Sequence, residues 1–248
     1  MTYDDTTTAR TAVLCQVAST ERLSGNVMRL WLKGPASLRY LPGQYLEICV
    51  EVKGRARWLP FSIANACRHD GQLELHIQFQ PGSPGLAALA ELIDGHADIN
   101  VRLPSGDCVL ADDDNRPLLL VAASTGMAQM KAIAEAALER DHARHVDIWW
   151  GGRTAADLYL HDMLKEWERR HPGLSYRPVI EDGGGHDLGG IAARIDEALR
   201  QYITGHRHYS IFLSGSPGMV YSAIDSLGVV EPLTERVFSD VFRYAPRK

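Results

Sequence analysis

Arg57, Trp58, Leu59, Pro60, Phe61, Ser62, Ile63, Ala64 and Asn65 form a segment that joins a fixed backbone angle, an aromatic ring and a single hydroxyl. Proline sets its own φ and gives up its N–H, while the aromatic and β-branched neighbours favour extended backbone. Such a stretch lays a backbone edge and one hydroxyl, that of Ser62, against a flat heteroaromatic ring. It reads equally as a half-buried edge strand, the place where sheets admit proline, and on these nine residues alone that plainer reading has the better claim. A second set of small residues, Ser124-Thr125-Gly126, Gly151-Gly152-Arg153 and Ser214-Gly215-Ser216-Pro217, suits close approach of a nucleotide to the backbone. No full GxGxxG occurs among them, and tight strand-to-helix turns need small residues on steric grounds alone.

Other chemistries fare worse. The cysteines at 15, 49, 67 and 108 are far apart with no CxxC spacing, which argues against an iron–sulfur cluster, a zinc site or a redox dithiol. His206 and His208 lack a third ligand nearby, and His142 and His145 are expected to end a helix, so no metal site is expected. A Ser/His/Asp hydrolase is disfavoured by the missing GxSxG elbow.

The elements that position these residues fall into two textures. Residues 13–18, 27–32, 45–50, 61–64, 73–79 and 99–103 are β-rich and separated by turn signals such as Pro42-Gly43 and Asp70-Gly71. Leu73, Leu75, Ile77 and Phe79 alternate with Glu74, His76 and Gln78, the period of a sheet with one buried face. One helix intervenes, opened by Pro84-Gly85 and ended by Gly95; its Gly82-Ser83 entry offers N–H groups to a phosphate or is a plain cap. Beyond the charged break at 112–116, strands at 118–123, 146–150, 176–180, 209–213 and 237–242 alternate with helices bearing Met130/Ile133/Leu138, Leu160/Leu164/Trp167, Ile191/Ile195/Leu199 and Val220/Ile224. That alternation predicts a parallel sheet covered on both faces. The expected fold is an N-terminal antiparallel Greek-key β-barrel (11–112) followed by a Rossmann-like α/β domain (113–248), with a disordered tail at 1–10.

Composition agrees. The 248 residues are 45% hydrophobic and 23% charged, with net charge −5 and no basic run. Nucleic acid and anionic membrane surfaces are therefore poor partners, and small molecules or a protein better ones. The polar, Thr-rich start and the lack of an apolar run near ~20 residues lead to an expectation of a cytoplasmic protein.

The order Pro42-Gly43-Gln44-Tyr45, Pro60-Phe61-Ser62-Ile63-Ala64, Ser124-Thr125-Gly126, Trp150-Gly151-Gly152-Arg153, Gly215-Ser216-Pro217 resembles the ferredoxin–NADP reductase superfamily, above all its small NAD(P)H:flavin oxidoreductases. The resemblance spans about residues 12–242. It implies an NAD(P)H-dependent flavin reductase in which hydride passes from nicotinamide C4 to flavin N5. By position, Pro60, Phe61 and Ile63 would hold the isoalloxazine, with catalytic Ser62 near N5 and Arg57 and Gly85 on the flavin's phosphate side. Thr125, Gly126, Gly152, Arg153, Ser216, Pro217 and Met219 would line the site of NADH or NADPH.

Leu59 stands where the family has a phosphate-gripping arginine, Ala88 where flavin-adenine members have serine, and Ala123 and Ser124 where glycines are common. The resemblance therefore implies weakly held FMN, riboflavin or FAD. Two alternatives stand beside the flavin reductase. One is a flavin-less, non-catalytic nucleotide-binding or regulatory module; the other is an electron-transfer reductase component of an oxygenase system, and a flavin-dependent oxygenase is the protein partner implied.

Overall fold

The computed structural model describes residues 11–183, 188–203, 208–228 and 236–247. The tail expected at 1–10 and His206 lie outside the described residues.

The first half is a six-stranded antiparallel sheet. Its strands are β1 (Thr11–Arg22), β2 (Val27–Lys33), β3 (Tyr45–Val52), β4 (Arg55–Ser62), β5 (Gln72–Gln78) and β6 (Ile99–Ser105), in the order β4-β3-β6-β1-β2-β5. The two edges meet: Ile63 bridges Leu75, and the Ala64 N–H donates to the Glu74 carbonyl at 2.7 Å. The sheet thus closes as a barrel around Leu30, Leu32, Leu46, Ile48, Leu73, Leu75, Ile77 and Val101, which are buried because alternate residues of a strand share a face. Helix α1 (Pro84–Asp94) plugs one end with Leu89 and Ile93.

The second half is a six-stranded parallel sheet made of β7 (Leu118–Ala123), β8 (Val146–Gly152), β9 (Leu174–Ile180), β10 (Ile191–Ala192), β11 (Ser210–Ser214) and β12 (Val237–Phe238). Its order is β10-β9-β8-β7-β11-β12. Helices α2 (Met127–Arg140), α3 (His161–Arg170), α4 (Ile195–Tyr202) and α5 (Pro217–Ser226) cover it, and a short α6 (Val241–Tyr244) follows β12. The unalternating run Leu118–Ala123 is the central strand, buried on both faces as such composition requires. Strand order reverses between β7 and β11, so a crevice opens at their carboxyl ends.

Four expectations need correction. Strand β4 begins at Arg55 and ends at Ser62, so Ala64 lies beyond it. An edge strand of alternating charge and aromatics, entered through Lys53 and Gly54 at φ of 53° and 72°, carries little β-branched signal. Ile191 belongs to a two-residue strand paired with Val179, because an apolar residue four before Ile195 fits either period over so short a stretch. The stretch 237–242 is strand only to Phe238; Asp240 then opens the turn into α6. His142 and His145 lie past the end of α2 at Arg140, where Nε2 of His145 meets Asp147 at 3.3 Å.

Helix α2 fastens the halves together through polar residues on a helix that is otherwise apolar and buried. Nζ of Lys131 donates to the Ala64 carbonyl (2.9 Å) and to Glu74 (2.8 Å), the latter a carboxylate on β5 that also receives Nε2 of His76 (3.0 Å) and lies in an ion pair 3.0 Å from Nε of Arg29. Burial lowers the His76 pKa, so the ring is neutral with its proton on Nε2 towards Glu74, and Nδ1 accepts from the Tyr159 hydroxyl at 3.2 Å. On the opposite side Nε2 of Gln129 donates to the Gly43 carbonyl (2.5 Å) and to Asp240 (2.8 Å). Cys108 and Leu110, on the connection between the sheets, pack in the core of the α/β half.

Candidate functional site

Ser62 is the last residue of β4 and pairs across the sheet with Tyr45, as Pro60 does with Glu47. Directly opposed residues of an antiparallel pair share a face, so these four project from one side of the sheet. Phe61 and Leu59, opposite Leu46 and Ile48, leave by the other face and pack on the barrel core. A cavity of about 610 Å³ wraps this end of the strand and is lined by Tyr45, Pro60, Phe61, Ser62, Gln129, Ser214, Gly215, Asp240 and Tyr244. Ile63 is 1% exposed and belongs to the barrel wall behind it.

Asp240 is a carboxylate held fast in this wall. Its Oδ1 accepts from the backbone N–H of Asp107 (3.0 Å) and Cys108 (3.3 Å), and its Oδ2 from Gln129. Burial raises its pKa, and these bonds only partly offset that. An aspartate that holds its proton more tightly than usual beside a hydroxyl-bearing cavity is suited to proton donation. Sequence reading missed Asp240, Gln129 and Tyr45. Tyr45 carried a signal as the end of the Pro42-Gly43-Gln44-Tyr45 motif, and Gln129 as a polar residue on the buried face of an apolar helix; Asp240 carried none.

A second cavity, of about 450 Å³, lies over the carboxyl ends of the parallel strands, with Ser124, Gly152, Arg153, Asp157, Glu181, Ser216 and Met219 in its lining. The two cavities adjoin at the turn after β11, where Ser214 and Gly215 face the first and Ser216 the second. Thr125 and Gly126 form the single turn between β7 and α2. Any Cβ on Gly126 would run into the Ser214 carbonyl, so only glycine lets this turn lie against β11. Ser124 takes a φ of 49°, a conformation that costs a non-glycine residue about 1–2 kcal/mol; Nε1 of Trp150 holds it there by donating to its carbonyl at 3.0 Å. Pro217 opens α5, and the Ser216 hydroxyl caps that helix by accepting from the Met219 N–H at 3.3 Å.

The first cavity therefore gathers Pro60, Phe61 and Ser62, and the second Gly152, Arg153, Ser216 and Met219. Arg57 and Gly85 line neither. Arg57 is exposed on β4 opposite Val50. Gly85 is buried beneath Leu59, whose Cδ2 lies 3.1 Å from where a glycine-to-alanine Cβ would stand. At this helix start Pro84 has no N–H, Ser83 caps the Leu86 N–H at 3.4 Å, and no basic side chain stands in the first turn.

Two family models tile the chain in this same order, an oxidoreductase FAD-binding domain over residues 14–109 and an oxidoreductase NAD-binding domain over residues 120–224. The chain belongs to the ferredoxin–NADP reductase superfamily. Among its relatives is terephthalate 1,2-dioxygenase, reductase component 1, of Comamonas sp, 29% identical over 240 residues that cover 96% of this chain and 70% of that protein. The NAD(P)H-flavin reductase of Vibrio harveyi is 27% identical over 240 residues, 94% of this chain and 99% of that protein. The crystal structure of the Amycolatopsis cytochrome P450 reductase GcoB superimposes with a TM-score of 0.81 at 28% identity, covering 93% of this chain and 69% of that one. Within this superfamily the barrel is the flavin half and the parallel sheet the nicotinamide-nucleotide half. Among the described residues no group of three or more histidines, cysteines or carboxylates converges as a metal site, and no helix is long and apolar enough to cross a membrane.

Proposed function

We propose that this chain is an NAD(P)H-dependent flavin reductase whose flavin binds weakly and is released after reduction. The observation that carries this reading is the junction of the two cavities at residues 214–216, which brings the Pro60-Phe61-Ser62 platform next to the carboxyl ends of β7 and β11. The first cavity fits a ring system. It is about 610 Å³, walled by Tyr45, Pro60 and Tyr244, with Ser62, Gln129 and Asp240 among its polar groups. Bound there, flavin supplies the N5 that accepts hydride from nicotinamide C4, leaving oxidised nicotinamide and reduced flavin.

The chain's share is alignment and the exclusion of water. Pro60 and Phe61 would hold the ring edge, the Ser62 hydroxyl would donate a hydrogen bond towards it, and Asp240, anchored by Gln129 and the N–H groups of Asp107 and Cys108, would fix the cavity wall. Gly126, Gly152, Ser216 and Met219 cradle the dinucleotide, with Thr125 and Pro217 setting the turns. The phosphate side has no comparable grip, because Leu59 covers Gly85 and Arg57 is exposed two residues further back along β4. The boundary between the flavin and nucleotide domains is placed near residue 112, in the connection between β6 and β7.

Purified protein is mixed with NADH or NADPH and riboflavin, FMN or FAD, and the nicotinamide absorbance is followed. Flavin-dependent oxidation with at least one pair is expected, and its absence with every pair overturns the assignment. Ser62→Ala is expected to slow the hydride step about tenfold or more, the weight of one hydrogen bond made in the transition state, with little change in Tm. Stopped-flow measurement of flavin bleaching reads that step directly.

Similarity to an oxygenase reductase component and to a P450 reductase favours a second reading, electron transfer to an oxygenase partner. Protein that keeps a yellow flavin through gel filtration would favour that reading over the first.

A further inference from the structure

The nicotinamide must reach the flavin cavity, which adjoins the second cavity at Ser214 and Gly215, so the adenosine end of the dinucleotide falls at the opposite limit, over β8 and β9. Among the described residues the charged groups there are Arg153, Asp157, Glu181 and Asp182, with Arg194 and Asp196 on the adjoining entry to α4. Each cation already has a carboxylate: Nη1 of Arg153 lies 3.6 Å from Asp182, and Nε of Arg194 lies 3.1 Å from Asp196. Two carboxylates remain. Glu181 is exposed at the cavity wall, and Asp157 accepts from the Thr154 N–H (2.8 Å) and hydroxyl (3.2 Å).

The donors beside these carboxylates are spent as well. Thr154 gives both of its protons to Asp157, and the N–H groups of Glu181 and Asp182 are bonded to the carbonyls of Gly152 and Arg153. A ribose 2′-hydroxyl is a donor that a carboxylate accepts, whereas a 2′-phosphate is a dianion that wants free donors and positive charge. We infer that this site rejects a 2′-phosphate and takes NADH in preference to NADPH, with Glu181 and Asp182 setting the choice. The inference rests on the reading of this cavity as the nicotinamide-nucleotide site.

Two measurements test it. Calorimetry compares AMP with adenosine 2′,5′-bisphosphate, and initial rates compare NADH with NADPH, for the intact protein and for Glu181→Ala/Asp182→Ala. AMP is expected to bind about tenfold tighter or more, and NADH to be favoured by a similar factor in kcat/KM, carried by KM; one misplaced anionic contact is worth that much. The double variant, with Arg153 released, is expected to lose most of this preference.

Equal or tighter binding of the bisphosphate by the intact protein overturns the inference alone, since nucleotide binding at the cavity would stand. A preference for NADH that survives undiminished in the double variant removes Glu181 and Asp182 from the choice. Failure of both adenosine fragments and both dinucleotides to bind overturns the site reading and the inference with it.

Discussion

Glu74→Ala is expected to lower the free energy of unfolding by about 3–5 kcal/mol, the range seen when one partner of a buried ion pair is removed. Glu74 is 2% exposed and faces Lys131, 6% exposed, together with Arg29 and His76. Taking the carboxylate away leaves the Lys131 ammonium with only the Ala64 carbonyl and a longer contact to Glu135 at 3.4 Å. Urea denaturation of the two proteins at pH 7 measures the loss, and a difference below about 1 kcal/mol would place the pair among the weak, solvent-screened ones. The double replacement Glu74→Leu/Lys131→Met is expected to lose much less, because it leaves no uncompensated charge.

The same carboxylate gives a pH dependence of known sign. Burial pushes the Glu74 pKa up, but the bonds from His76 and Lys131 outweigh it and bring the value from 4.5 down to about 2. A folded-state value below the unfolded one means that the contribution is complete above pH 4.5 and is lost as pH falls from 4.5 to 2. Native protein and Glu74→Ala should therefore converge in stability across that window.

Leu59→Arg is expected to make the protein distinguish FMN and FAD from riboflavin by about ten- to a hundredfold in affinity, the worth of a charge-assisted phosphate contact of ~1.5–3 kcal/mol. Native protein, with a leucine over Gly85 and a first helical turn free of basic side chains, should bind all three flavins alike. Quenching of flavin fluorescence gives the three dissociation constants. Native protein that already holds FMN tenfold more tightly than riboflavin would show that the phosphate is gripped elsewhere.

Those two residues mark what the chain discloses without its structure and what it conceals. Leu118–Ala123 was legible to the residue, since only a strand buried on both faces tolerates six consecutive apolar residues between turn signals. Helix α1 was legible too, through its proline start and the glycine at its end. The platform residues Pro60, Phe61 and Ser62 are adjacent in sequence, so one segment announced their place in the first cavity. Asp240 and Gln129 come from segments 111 residues apart; Asp240 has no period or motif to betray it, and Gln129 only its polarity on a buried helix face. The place of Leu59 was readable as a departure, but its burial of Gly85 depends on how α1 seats against β4, which is a matter of packing.

Helix α2 has a bearing on how such enzymes can be recombined. Gln129, Lys131 and Glu135 face the barrel from a single helix, and their partners Gly43, Ala64, Ala66 and Glu74 lie in three separate barrel segments. A chimera cut at the apparent joint near residue 112 would exchange this helix along with the nucleotide half and orphan Glu74 against an unrelated surface. Modules of this fold should trade cleanly only when α2's three polar residues travel with the barrel they were matched to, so the unit of inheritance is larger than either sheet.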